Sequence, residues 1–160
     1  MQVFDASSMI HAWDNYPILQ FPALWNWMAD RVAQGVIQMS EVAAEEVGHK
    51  VPECVNWLKD VGLQKLPVTE AILLEAMRIK ELLEIEEDRY GSGVDENDLI
   101  IIATAKIHNV ELVTNEGVQT ALPVQKRKYK IPAVCKMHTV KVPSLDYLLY
   151  LKRSEAVFSG

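Results

Sequence analysis

The stretch VDENDLIIIATAKIHN, residues 94–109, limits the fold more than any other part of the chain. Asp95 stands where a helix cap is expected, and the run then passes through Ile100, Ile101, Ile102, Ala103 and Ala105. A surface helix keeps one polar face, and this one does not. It must therefore be covered nearly all round, which requires a core with layers on more than one side.

The segments around it say what those layers are. Gln2–Phe4, Val36–Met39, VELVT at 110–114 and TVKV at 139–142 read as short strands. Between them lie helices. FPALWNWMADRVAQG stops at Gly35, EVAAEEV follows Ser40 as a cap, and VPECVNWLKDVG opens on proline and closes on glycine. The longest, TEAILLEAMRIKELLEIEEDRY, has Thr69 as cap, a stripe of Ile72, Ala76, Ile79 and Leu83, and a stop at the GSG of 91–93. Strands that alternate with helices imply crossover connections, hence a mostly parallel sheet covered on both faces. No repeat or linker divides the chain, so a single domain over residues 1–160 is expected.

Charge and cysteine content narrow the function. The formal net charge is −6, which opposes nonspecific coating of nucleic acid because counterion release needs a basic face. One basic island interrupts the acidic chain: QKRKYK gathers Lys126, Arg127, Lys128 and Lys130, a solvated loop or a phosphate-binding patch. Cys54 and Cys135 form no CxxC pair, which fits a reducing, cytoplasmic setting. No apolar run is long enough for a membrane span, and the N-terminus lacks the pattern of a signal peptide. GxSxG, GxxxxGK[ST] and GxGxxG are all absent, which disfavours nucleophile-elbow hydrolysis, triphosphate hydrolysis and dinucleotide binding. His11, His49, His108 and His138 show no zinc-ligand spacing. Trp13, Trp25, Trp27 and Trp57 read as packing residues.

The acidic positions carry the chemistry. Ligands of open parallel sheets bind beyond the carboxyl ends of the strands. Asp5 ends the first strand, Asp98 lies in the first turn of the buried helix, and Glu116 follows the VELVT strand. Glu45 and Glu46 sit in the helix after the second strand, where only one can point inward. Singly, each has a structural explanation: Asp5 as a cap, Asp95 with Asp98 as a capping pair, the glutamates as solvated side chains. Together at one sheet edge they would repel one another, and either protonation or a hard divalent cation, magnesium or manganese, resolves the conflict.

The motifs VFDASSMI, DLIIIATA and LVTNE, in this order and spacing, resemble those of PIN domains, and the resemblance covers essentially the whole chain. FPALWNWM, DENDLIIIATA and KIPAVC resemble one PIN-like subfamily of small prokaryotic proteins. The resemblance implies a three-layer α/β/α, Rossmann-like fold with a mostly parallel sheet of four or five strands. It also implies a ribonuclease dependent on Mg²⁺ or Mn²⁺. Asp5 and Asp98 become ligands, the second acid is Glu45 or Glu46, with Glu46 favoured because the apolar Val47 follows it, and Glu116 stands where many relatives have aspartate. Ser7 takes the supporting hydroxyl position and Asn115 is expected to orient Glu116. Lys126, Arg127, Lys128 and Lys130 become the RNA track. Many PIN domains are toxins, which implies a cognate antitoxin protein and a homodimer as partners. The alternative is an inactive PIN-like scaffold that binds RNA or a partner protein. A haloacid-dehalogenase type also starts on a strand ending in aspartate, but it needs a second acid where Ser7 stands.

Overall fold

The computed structural model describes residues 1–159. Five strands, β1 (Gln2–Phe4), β2 (Ile37–Ser40), β3 (Lys65–Leu66), β4 (Glu111–Val113) and β5 (Ser144–Leu145), form one sheet in the order β3-β2-β1-β4-β5. Every pairing is parallel, with Val3 beside both Gln38 and Leu112. Consecutive strand residues are buried: Val3 and Phe4, Ile37 to Ser40, Leu112 and Val113. Neither face meets water, so helices cover both, giving the expected α/β/α sandwich.

The connecting helices are α1 (Ala6–Asn15), α2 (Pro22–Ala33), α3 (Glu41–Lys50), α4 (Pro52–Asp60), α5 (Glu70–Leu82), α6 (Glu96–His108), α7 (Ile131–Lys136) and α8 (Tyr147–Ser154). The apolar helix foreseen at 94–109 is α6. It packs on β1, β2 and β4 and against α3, α5 and α7, and every residue from Asp98 to Ala105 is buried. Asn109 ends it in the left-handed conformation, which asparagine tolerates. The tryptophans pack as expected. Trp13, Trp25 and Trp57 meet edge-on or tilted, with centroids 4.9 to 6.3 Å apart.

Four local expectations need correction. TVKV at 139–142 is not a strand: the carbonyls of Thr139 and Val140 accept Arg78 and Lys106 side chains, and Lys141 has φ 50°, which breaks an extended run. The edge strand is instead Ser144–Leu145, paired with Leu112 and Val113. The opposite edge strand, Lys65–Leu66, escaped the sequence reading because two residues show no periodicity. The long helix stops at Leu82, well short of GSG. Glu84 takes φ 59° and the Ile85 N–H reaches back to the Lys80 carbonyl, a Schellman ending with glutamate where glycine is usual. Finally, Ser40 precedes α3 but makes no capping bond. Its hydroxyl is buried without a hydrogen-bond partner among the described residues.

The GSG segment has another role. A Cβ on Gly93 would lie 2.3 Å from the Tyr129 carbonyl oxygen and 2.5 Å from the Lys128 carbonyl carbon. Only glycine lets the segment leading into α6 lie directly on the backbone of residues 127–129, where the Val94 N–H donates to the Tyr129 carbonyl at 2.9 Å.

Candidate functional site

Sheet order reverses between β1 and β4. Chain connections leave β1 toward β2 and β3, then return through α5 and α6 to β4 on the other side. The crevice beyond the carboxyl ends of β1 and β4 is the switch point of a doubly wound sheet. Asp5 immediately follows β1, Thr114 to Glu116 follow β4, and the N-terminus of α6 is aimed near the same place.

Asp5 is 2% exposed and firmly held. Its backbone N–H donates to the Val113 carbonyl at 2.8 Å, and its Oδ2 accepts the hydroxyls of Ser7 at 2.5 Å and Thr114 at 3.0 Å. Those hydroxyls also receive backbone donors, Asn115 N–H to Ser7 Oγ at 2.9 Å and Glu116 N–H to Thr114 Oγ1 at 3.2 Å. Two hydroxyls thus sew the end of β4 to the carboxylate that ends β1. Burial raises the Asp5 carboxyl, the Ser7 and Thr114 bonds pull it back, and the charge of Glu46 raises it again.

Asp98 does two jobs. In the capping box at the start of α6, its N–H donates to Asp95 Oδ1 at 2.8 Å, and its own Oδ2 accepts the Asp95 N–H at 3.1 Å. The cap expected of this pair is therefore present. The same bonds fix the side chain at 8% exposure facing the other acids. Burial lifts its carboxyl far above the usual range, and the charge of Glu116 adds to this, with Asp95 and Asp5 behind it.

Glu116 is half-buried, and its Oε2 accepts the Ile131 N–H at 3.4 Å. Burial raises its carboxyl first and the Asp5 charge next, while the Ile131 N–H and Lys130 oppose them. Glu46 is half-buried, pairs with Lys50 at 3.3 Å and acts on Asp5; Glu45 is exposed. Of the two, Glu46 faces the cluster. Asn115 does not reach the Glu116 side chain: its Oδ1 accepts the Tyr147 N–H at 3.0 Å, tying β4 to α8. Thr114 is the residue that sequence reasoning passed over. Its position two before Glu116 was visible, but its contact with Asp5, 109 residues away, was not.

The basic island forms a 3₁₀ turn, Lys126–Lys128, followed by Lys130 at the entry to α7. Lys126, Lys128 and Lys130 are exposed, while the Arg127 guanidinium lies against Gln125. Lys130 is the member whose charge reaches the acidic cluster.

The donor chemistry fits a hard divalent cation: oxygens only, from acids whose charges oppose one another. Among the described residues, however, no three His, Cys, Asp or Glu side chains form a ready-made metal cage. One oxygen of Asp5, Asp98 and Glu116 is in each case held by a protein donor. A cation here would draw on the remaining carboxylate oxygens and complete its shell with water.

Fold and site together define a doubly wound α/β/α domain with buried, mutually repelling carboxylates at its switch point. Residues 2–158 match the family described as Domain of unknown function (DUF4411), and the chain belongs to that family. No curated protein matches the chain. Among the described residues, no helix is long and apolar enough to cross a membrane.

Proposed function

We propose that this chain is a PIN-like, Mg²⁺- or Mn²⁺-dependent endoribonuclease that hydrolyses RNA phosphodiester bonds. The observation that carries the reading is the gathering of Asp5, Asp98 and Glu116 at the β1–β4 switch point, each raised by burial, Asp98 and Glu116 also by the charge of others in the group and Asp5 by that of Glu46. Asp5, Asp98 and Glu46 would hold the metal, with Glu116 beside them. A divalent ion bound there supplies positive charge and acidifies an attacking water. The protein's own part is orientation. Ser7 and Thr114 lock Asp5, the Asp95 box locks Asp98, and the Ile131 N–H steadies Glu116. Lys130, with Lys126 and Lys128, offers positive charge to the RNA backbone beside an acidic centre.

The test is cleavage of labelled single-stranded RNA by the purified protein in manganese and in EDTA. Asp98→Asn keeps a side-chain oxygen to accept the Asp95 N–H and leaves the backbone N–H that donates to Asp95, so the variant should fold. Its cleavage should fall by more than about a hundredfold. Undiminished cleavage by the variant, or cleavage in EDTA, rejects the reading. A second reading, an RNA- or protein-binding scaffold without turnover, draws on the lack of a closed cage. Under it, RNA would be shifted on a native gel but not shortened. A toxin role within a toxin–antitoxin pair follows from the same PIN resemblance, and growth arrest on expression that Asp98→Asn relieves would support it.

A further inference from the structure

On the Glu116 side, the acidic centre is bordered by a groove of opposite character. A cavity of about 340 Å³ contains Thr114 and Glu116, and Val118, Pro132 and Lys136 line both it and a neighbouring groove of about 520 Å³. Leu122, Tyr129 and Met137 give the larger groove apolar walls, and exposed Lys126 and Lys136 give it positive charge. In a chain of net charge −6, no acidic residue is among those described as lining it.

The groove is also preformed. Gln119 Nε2 donates to the Lys128 carbonyl at 3.1 Å and its Oε1 accepts the Lys130 N–H at 2.8 Å, pinning the loop after β4 to the basic segment. That segment is in turn held against Gly93. Fixed apolar walls with a few cations, in a volume of this size, suit a small planar group carrying an anion.

We propose that this groove binds one nucleotide of single-stranded RNA next to the cleaved phosphate, its base against the apolar walls and its phosphate on Lys136 and Lys126. The inference rests on the nuclease reading for the position of the cleaved bond. A duplex keeps its bases stacked and cannot place one in such a groove, so single strands are required.

The experiment is fluorescence anisotropy in EDTA, with the full chain and a labelled RNA of about ten uridines. Lys136→Glu and Leu122→Asp alter exposed groove residues. Lys59→Glu, exposed on α4 toward the opposite sheet edge, makes the same charge change elsewhere. Both groove variants should raise Kd about tenfold or more, and Lys136→Glu should reduce the slope of log Kd against log salt by about one. Lys59→Glu should stay within about twofold. Equal effects of Lys136→Glu and Lys59→Glu, equal affinity for duplex RNA, or preferential binding of a Leu- and Glu-rich peptide that the RNA does not displace would overturn the assignment. Because binding is read without metal, its loss is distinguishable from failure of manganese-dependent cleavage.

Discussion

Replacing Gly93 by alanine tests whether the acidic site depends on a backbone-to-backbone contact in which no carboxylate takes part. The added Cβ would stand 2.3 Å from the Tyr129 oxygen, 2.5 Å from the Lys128 carbon and 2.8 Å from the Arg127 oxygen, where ordinary contact begins near 3.4 Å. The two segments must part by roughly 1 Å, and since all three atoms are backbone, no rotamer change relieves the clash. The φ of Gly93 lies outside the left-handed region, so the penalty is steric and not conformational. Overpacking of this kind, with loss of the Val94–Tyr129 hydrogen bond, costs about 2–4 kcal/mol. For a chain of this size that is a fall in Tm of roughly 5–15 °C. Function should suffer too. Gly93 leads directly into the Asp95–Asp98 box, and Tyr129 leads into Ile131, whose N–H holds Glu116. Manganese-dependent cleavage should therefore drop even at temperatures where the variant is folded. The comparison is Gly117→Ala, where the added Cβ meets nothing within 4 Å and stability should change by less than about 0.5 kcal/mol. Thermal melts and urea titrations of the two variants settle the matter. If Gly93→Ala is as benign as Gly117→Ala, the contact does not have the tightness argued here.

Asp98 makes metal-free stability depend on pH. Its carboxyl is pushed up to about 8 from 3.8, so the folded state favours the proton. The associated stability is complete below about pH 4 and is lost as pH rises through 8. In EDTA, the wild-type Tm should fall relative to Asp98→Asn between about pH 5 and 8.5; parallel curves would refute the burial argument. Glu46→Gln should weaken manganese-dependent cleavage by about tenfold or more while Glu45→Gln stays within about twofold, and equal effects would remove Glu46 from the site. Cys54 and Cys135 are buried, with thiols pushed up to about 12. Neither should react with a thiol reagent in the native protein, and both should react in urea.

What the sequence by itself determined was whatever short-range chemistry decides. The Asp95 box, the all-round apolar α6, the Thr69 cap and the strand that ends at Asp5 are written in adjacent residues, and all are present. Alternation of strand and helix was enough to require a covered parallel sheet. Tertiary structure decided the features that depend on partners distant along the chain. Glu46 rather than Glu45 acts on Asp5 because of the way α3 packs against α1, α6 and β2. Thr114 grips a carboxylate across 109 residues. Gly93 is glycine because of the backbone at 127–129, not because a helix stops there. The edge strands Lys65–Leu66 and Ser144–Leu145 exist only by pairing with β2 and β4. Two residues carry no pattern of their own, so their conformation is set by the hydrogen bonds that a neighbouring strand offers.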